Sequence, residues 1–459
     1  MIRFYIALWA SKLSVIALKL TGHNATDFPG TVALKLCPNF LKYVSKPSRI
    51  IGITGTNGKT TVTNMITDAL AATDLKVLSN KEGSNIKTGI ATIFMKGVNV
   101  FNRSTYDLAV LEIDERSAPV LFPYFKPEIL VINNLTRDST MRNAHPEFIA
   151  GILTEELPKT TKLVINGDDL IACSVAPENE RVYFGIDSLD TDTDKCINLI
   201  NDMRVCPKCH SKLEFDKVRY HHIGKVHCPS CGFKSPECKY SGSNADFDRM
   251  MIDITENGKT YSVKLINDSV FNIYNSVCTT ALLREMGYSA EDVVEMMSVL
   301  SIVKSRLDEK KAGSYTLIRQ LAKDKNALAT SRVLDYISSR PGRKEIIMMM
   351  NCLHDTVQWS ENTCWLYDCD FEFLKNEDFV RIIVTGERCL DYVLRLRFAG
   401  VDMSRIKAVF NYDDIAGALK LEEGTDVYLL NGTDSIKAAD KVEAEILERM
   451  RKKSEGGME

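Results

Sequence analysis

A chain of 459 residues is long enough for about three domains with their own cores. Its 26% charged and 45% hydrophobic residues are those of a soluble globular protein, and a net charge of −3 argues against bulk binding to nucleic acid. Four of the 13 cysteines fall in a metal-binding pattern and the others are scattered singly, which suits a reducing compartment better than a disulfide framework.

The first segment, Ile6 to Leu20, is rich in apolar residues but interrupted by Lys12 and Lys19. It has no small-residue cleavage site after it, and it is too short and too charged to span a bilayer. Trp9, Leu13, Ile16 and Leu20 recur at helical spacing, which predicts an amphipathic helix docked through that face on the body. The alternative for the same stripe is a membrane surface. A turn-rich stretch from Gly22 to Pro38 and a short helical piece follow. Only 51 residues precede Gly52, so no full domain is expected upstream.

The chain then reads Ile50-Ile51-Gly52-Ile53-Thr54-Gly55-Thr56-Asn57-Gly58-Lys59-Thr60-Thr61, a β-branched run entering a glycine-rich turn that opens a helix. Such a turn lets backbone amides fold around a phosphate at the positive end of the helix dipole. Lys59 is expected to reach the β- and γ-phosphates of ATP, and the Thr60 hydroxyl to ligate Mg²⁺. The spacing is a tighter variant of the usual phosphate loop, with Ile53 where the first glycine would stand.

Further strands are expected at Leu75–Asn80, Leu108–Glu115, Ile129–Asn134 and Lys162–Asp169, each apolar with a polar end. Alternation with helical segments predicts a parallel sheet covered on both faces, with ligands at the C-terminal ends of its strands. Glu112 is therefore the candidate to complete the Mg²⁺ site opposite Thr60. Asp114 and Glu115 are weaker candidates, and Glu115 best suits a solvated strand end.

The rhythm breaks at Cys206-Pro207-Lys208-Cys209 and Cys228-Pro229-Ser230-Cys231-Gly232. Two C-x₂-C turns at this spacing predict a Cys₄ zinc ribbon at residues 203–236, and four thiolates leave no open coordination position, so its role is structural. His210, His221, His222 and His227 are read as packing or surface residues. A hairpin is expected around Asn257-Gly258, then a helix opening at Phe271-Asn272-Ile273-Tyr274-Asn275. A second α/β alternation runs from Tyr315 to Asn431. The expected organisation is a helical leader at 1–48, an ATP-binding domain at 49–303, an α/β domain at 304–450 and a disordered tail at 451–459.

Thr54-Gly55-Thr56-Asn57-Gly58-Lys59-Thr60 is closely similar to the phosphate loop of the Mur ligases, which make amide bonds through an acyl phosphate. Glu112 matches that family's strand-end magnesium glutamate, and the segment from Phe271 to Asn275 resembles its Asn-containing helix start near the adenine. The resemblance implies a Mur ligase-like α/β fold, with a central P-loop ATPase domain and a Rossmann-like C-terminal domain. Gly55, Thr56, Asn57, Gly58, Lys59, Thr60, Thr61, Asn272 and Asn275 would then bind ATP.

The short leader, the Cys₄ insert, the stretch Leu34–Leu41 and the pair Leu111–Glu115 with Asn134–Asp138 resemble one branch in particular, the MurT synthetase subunits. That branch implies ATP-dependent amidation of the D-glutamate α-carboxyl in a lipid-linked peptidoglycan precursor. Ammonia would come from a separate class I glutaminase subunit, GatD, in a cytoplasmic heterodimer at the inner face of the membrane. Asp355 takes the role of the aspartate lent to the glutaminase site, with Asp368 as the fallback. The branch's later motifs depart here, at Ser305–Asp308 and Lys325–Ala329. An amino-acid-adding ligase of the Mur or folylpolyglutamate kind, and a zinc-ribbon assembly protein without ligase activity, are the competing readings.

Overall fold

In the computed structural model, which describes residues 1–81, 84–137, 145–301, 307–322, 326–350, 363–432 and 435–455, the chain divides into two compact units. The first takes in the described residues of Met1–Thr136, Pro146–Ile197 and Asn201–Ile302. The second takes in those of Val303–Glu459, with the short segments Arg137–His145 and Asn198–Ile200.

The strands of the first unit are β1 (Arg49–Thr54), β2 (Val77–Ser79), β3 (Leu108–Glu112), β4 (Ile129–Ile132), β5 (Lys162–Asn166), β6 (Arg181–Ile186), β7 (Glu214–Tyr220), β8 (Ile223–His227), β9 (Tyr240–Asp246), β10 (Met251–Glu256) and β11 (Lys259–Lys264). Nine of them form one sheet in the order β11-β10-β9-β6-β5-β4-β1-β3-β2, and β7 pairs with β8 as a separate hairpin. Pairing is parallel from β2 across to β9 and antiparallel at β9-β10-β11. Every residue of β3 and β4 is buried, the pattern of parallel strands covered on both faces. Asn257 and Gly258 turn β10 into β11 with φ of 50° and 76°, the mirror-image turn that matches strand twist.

The leader forms α1 (Ile2–Leu20) and α2 (Phe28–Leu36). Its docking face is not the one that helical spacing suggested. Phe4, Ala7, Leu8 and Ser11 are buried, whereas Trp9, Leu13, Ile16 and Leu20 are exposed. The small Ala7 and Ser11 let α1 approach closely, and Ser11 Oγ donates to the Pro29 carbonyl at 2.6 Å. Phe4 stacks on Phe40, and Lys12 Nζ donates to the Met95 and Val98 carbonyls at 3.0 and 2.6 Å. The helix is apolar on two faces, and periodicity alone does not say which one packs.

The second unit contains β12 (Leu307–Ala312), β13 (Tyr315–Leu321), β14 (Arg343–Met349), β15 (Phe379–Thr385), β16 (Ile406–Val409) and β17 (Thr425–Asn431), in the order β12-β13-β17-β14-β15-β16. Only the β12–β13 pair is antiparallel. Alternate residues of β14 serve two cores: Ile346 and Met348 join Trp365 and Phe371 on one face, while Ile347 and Met349 join Val442, Ile446 and Met450 on the other. Against the expected disordered tail from 451, the last helix runs Ile436–Glu455. Met450 is fully buried, and Lys453 Nζ donates to the Lys420 and Leu421 carbonyls, so these contacts carry the helix past the charged sequence.

Candidate nucleotide site and metal centre

The glycine-rich turn links β1 to the helix Lys59–Leu70. Gly58 has a φ of 87°, and a Cβ there would lie 2.4 Å from Asn133 Nδ2 and 2.5 Å from Asn275 Oδ1, so only glycine fits. Parallel register sets Ile53 beside Glu112 and Thr54 beside Ile132. The C-terminal ends of β1, β3 and β4 therefore converge on one loop, at the place where the strand order reverses.

Thr60 Oγ1 donates to Glu112 Oε2 at 2.8 Å, and Asn85 Nδ2 donates to Glu112 Oε1 at 2.8 Å. Asn80 holds the Glu112 backbone on both sides: its Oδ1 accepts the Glu112 N–H, and its Nδ2 donates to the Glu112 carbonyl. Glu112 is thus buried and fixed by four hydrogen bonds. In six-coordinate Mg²⁺ sites, neighbouring oxygen ligands sit about 3 Å apart, so the Thr60–Glu112 oxygen pair fits one shared cation.

Lys59 Nζ donates to the Gly55 carbonyl at 2.6 Å and faces both Glu115 oxygens at 3.0 and 3.3 Å. Glu115 Oε1 also accepts the Gly55 N–H at 2.7 Å. Burial alone would pull the Lys59 ammonium down, but Glu115, followed by Asp114 and Glu112, more than offsets it and holds Lys59 above the usual lysine range. Glu115 is 6% exposed, so the reading of a solvated strand end is corrected. A 3₁₀ turn at Glu115–Ser117, opened by the Asp114 side chain accepting the Arg116 N–H, folds the carboxylate back over the loop.

Three asparagines, Asn133, Asn134 and Asn275, brace the same loop. Asn134 Oδ1 accepts the Asn57 N–H at 2.9 Å, and the Asn134 carbonyl accepts the Thr56 N–H at 2.8 Å. Asn133 Nδ2 donates to the Asn57 carbonyl and to Asn275 Oδ1, and Asn275 Nδ2 donates to Asn272 Oδ1. Thr56 Oγ1 donates to the Thr136 carbonyl. Asn275 is 2% exposed and engaged at both ends, so it supports the loop, while the half-buried Asn272 stands at the start of the helix Val270–Glu285. Thr61 follows Thr60 in the first turn, whose N–H groups have no intrahelical acceptor and suit a phosphate. The only earlier sign of this bracing was the polar end Asn133-Asn134 on a buried strand.

The Sγ atoms of Cys206, Cys209, Cys228 and Cys231 all lie within 4.8 Å of one another. Cys206–Cys231 and Cys209–Cys228 are 3.6 and 3.5 Å apart. Four Zn–S bonds of about 2.3 Å give tetrahedral edges of about 3.8 Å, so the cluster fits zinc. The two knuckles match: the residue after each second cysteine, His210 and Gly232, has φ of 61° and 71°, and its N–H returns to the first cysteine's carbonyl. His210 and His227 are on the surface or half-buried, and His221 and His222 are buried; none of them joins the cluster.

Beneath the knuckles, the β7–β8 hairpin is anchored in the sheet by charges that the sequence did not reveal. The fully buried Asp168 takes Lys225 Nζ at 2.6 Å, Arg219 Nη1 at 3.4 Å, the Ile186 N–H and the Tyr274 hydroxyl at 2.7 Å. Burial would raise this carboxyl, but Lys225 and Arg219 hold it below the usual aspartate range. Tyr220 packs on Phe271 with ring centroids 4.7 Å apart, next to Asn272.

In the second unit, Asp355 and Arg306 lie outside the described residues. Asp368 is half-buried and pairs with Arg137, which clusters with this unit, at 3.1 Å. Asn326 is buried and caps the helix Ala327–Ser339 by accepting the Ala329 N–H. Trp365 is buried against Tyr392, and Arg395 ties down the Leu366 and Cys369 carbonyls and the Glu372 carboxylate.

Residues 53–283 match the Mur ligase middle domain, and residues 324–433 match the MurT ligase C-terminal domain. The chain is 30% identical over 404 residues to the lipid II isoglutaminyl synthase (glutamine-hydrolyzing) subunit MurT of Staphylococcus aureus strain COL, covering 87% of this chain and 89% of that one. It is 26% identical over 435 residues to the subunit of the same name from Streptococcus pneumoniae R6, covering 93% of each. Among solved structures, a pseudomurein peptide ligase type C from Methanothermus fervidus shares the fold, with a TM-score of 0.66 at 21% identity over 89% of this chain and 81% of that one. The chain belongs to the MurT family of Mur ligases, which are ATP-dependent ligases.

Proposed function

We propose that this chain is the synthetase subunit of a lipid II isoglutaminyl synthase, amidating the D-glutamate α-carboxyl of the stem peptide on a lipid-linked precursor. The reading is carried by the Lys59, Thr60 and Glu112 constellation in a chain whose relatives bear that name over most of their length. A stem-peptide carboxylate oxygen attacks the γ-phosphorus of ATP, ADP leaves, and an acyl phosphate forms. Ammonia then attacks the acyl carbon, phosphate leaves and one proton is released from nitrogen.

The residues act by positioning and charge, as phosphoryl transfer requires. Lys59 leaves Glu115 for the transferring phosphoryl oxygens, and the first-turn amides of the helix Lys59–Leu70 cradle the phosphates. Thr60 and Glu112 hold Mg²⁺, which when bound neutralises charge on the phosphate oxygens. Asn272 marks the adenine end. The Cys₄ ribbon serves as a zinc staple for its hairpin, because four thiolates leave no site for substrate. Ammonia comes from a partner glutaminase of the GatD kind, and Asp355 completes that partner's site. Asp368 suits the role less, since Arg137 already engages its carboxylate.

The test is ATP turnover with a lipid-linked D-glutamate precursor. Ammonium should stimulate turnover and free amino acids should not. Stimulation by an amino acid instead would select the amino-acid-adding reading.

A further inference from the structure

The helix α1 carries a second apolar face that the fold leaves uncovered. Ile2, Ile6, Trp9, Leu13, Ile16 and Leu20 follow one another at steps of four and three residues and are 50–83% exposed. At about 100° per residue they point roughly opposite to the buried Phe4, Ala7, Leu8 and Ser11. The outer face of a surface helix is ordinarily polar, and a continuous apolar stripe marks an interaction surface. The stripe continues onto a neighbouring loop. Trp9 Nε1 donates to the Val100 carbonyl at 3.0 Å, and Val100 and Phe101 are 51% and 72% exposed.

Charge points to the occupant. Residues 1–48 contain Arg3, Lys12, Lys19, Lys35, Lys42 and Lys46 but only one acid, Asp27, giving +5 in a chain of net −3. Lys12 and Lys46 turn inward onto backbone carbonyls. Arg3, Lys19, Lys35 and Lys42 are exposed, Arg3 while also donating through Nε to the Leu36 carbonyl, and on α1 Arg3 and Lys19 flank the stripe on either side. An apolar stripe between cations, with a tryptophan in its middle, is the pattern of a helix lying in the plane of an anionic bilayer. Among the described residues no helix is long and apolar enough to cross a membrane.

We infer that α1 docks this chain on the surface of an anionic lipid bilayer, with Trp9, Leu13 and Ile16 seated among the headgroups and upper acyl chains. The purpose of such docking rests on the lipid-linked substrate proposed above, whereas its physics rests on the stripe and its cations.

Co-sedimentation of the full chain with vesicles tests this directly. Vesicles of phosphatidylglycerol and phosphatidylcholine should bind the wild type, pure phosphatidylcholine far less, and added salt should weaken binding. The double variant Leu13→Glu/Ile16→Glu changes only exposed positions and should keep its melting temperature while losing at least tenfold in partitioning. Absence of binding to anionic vesicles, or equal binding by the variant, overturns the inference. So does a wild-type dimer that the variant converts to monomer without vesicle binding, because the stripe then joins two copies. These vesicles carry no precursor, so docking without amidation would overturn the proposed function alone, and amidation without docking would overturn this inference alone.

Discussion

Lys59 Nζ lies 3.0 Å from Glu115 Oε1, the same oxygen that accepts the Gly55 N–H at 2.7 Å. One buried carboxylate thus ties the loop's lysine to the loop's first glycine. Glu115→Ala leaves both donors without that acceptor. It should lower unfolding stability by about 1–3 kcal/mol, and Glu115→Gln, which keeps an acceptor for Gly55, should lose less. Denaturant midpoints of the three proteins check the order; an alanine variant as stable as the wild type would refute the bracing role.

The Thr60–Glu112 pair makes a separate prediction about the cation. Glu112→Gln keeps the shape but weakens a Mg²⁺ ligand, and Thr60→Val removes the hydroxyl. Each should raise the Mg²⁺ concentration needed for half-maximal ATP turnover by about 10–100-fold, while Thr60→Ser stays near wild type. Magnesium titrations that overlay for all four proteins would remove Glu112 and Thr60 from the site.

The four clustered thiols predict one zinc per chain. Metal analysis of Cys206→Ser/Cys228→Ser should show that zinc lost, with a lower melting temperature, because the β7–β8 hairpin loses its staple. Zinc content equal to the wild type in that variant contradicts the assignment.

The readable parts of the molecule were those coded locally. The strand–turn–helix at Gly55–Thr60 and the two C-x₂-C turns keep their chemistry within a few residues, so spacing reveals them. The sequence marks Glu115 only as a weaker magnesium candidate or a solvated strand end, because its approach to Lys59 depends on a short turn after β3 that composition does not mark. Asp168, Arg219 and Lys225 come together across about fifty residues of chain, and each alone looks like an ordinary surface charge. The docking face of α1 is hidden for a different reason: an apolar period is present on both sides, and only the small residues Ala7 and Ser11 distinguish the packed one.

Acid sensitivity follows from Glu285, at the end of the helix Val270–Glu285. Burial would raise its carboxyl, but hydrogen bonds from Lys162, Lys239 and Tyr240 outweigh this and bring it down to about 2. A carboxylate in the unfolded chain titrates near about 4.3. The folded value is the lower one, so its stabilisation is fully present above the unfolded pKa and is lost as pH falls from there toward 2. Glu285→Gln should therefore flatten the fall in unfolding free energy across that interval, as read from urea midpoints at several pH values. An unchanged slope would show that the cluster makes no such contribution.

The most direct test of the central proposal supplies ¹⁵N-ammonium, MgATP and a lipid-linked D-glutamate precursor, then reads the stem peptide by fragment mass spectrometry. The account predicts one ¹⁵N-amide on the D-glutamate α-carboxyl, formed with one ATP consumed, and none with Lys59→Ala. Labelled product on another carboxyl, or ATP consumed only when a free amino acid is joined to the precursor, would contradict it.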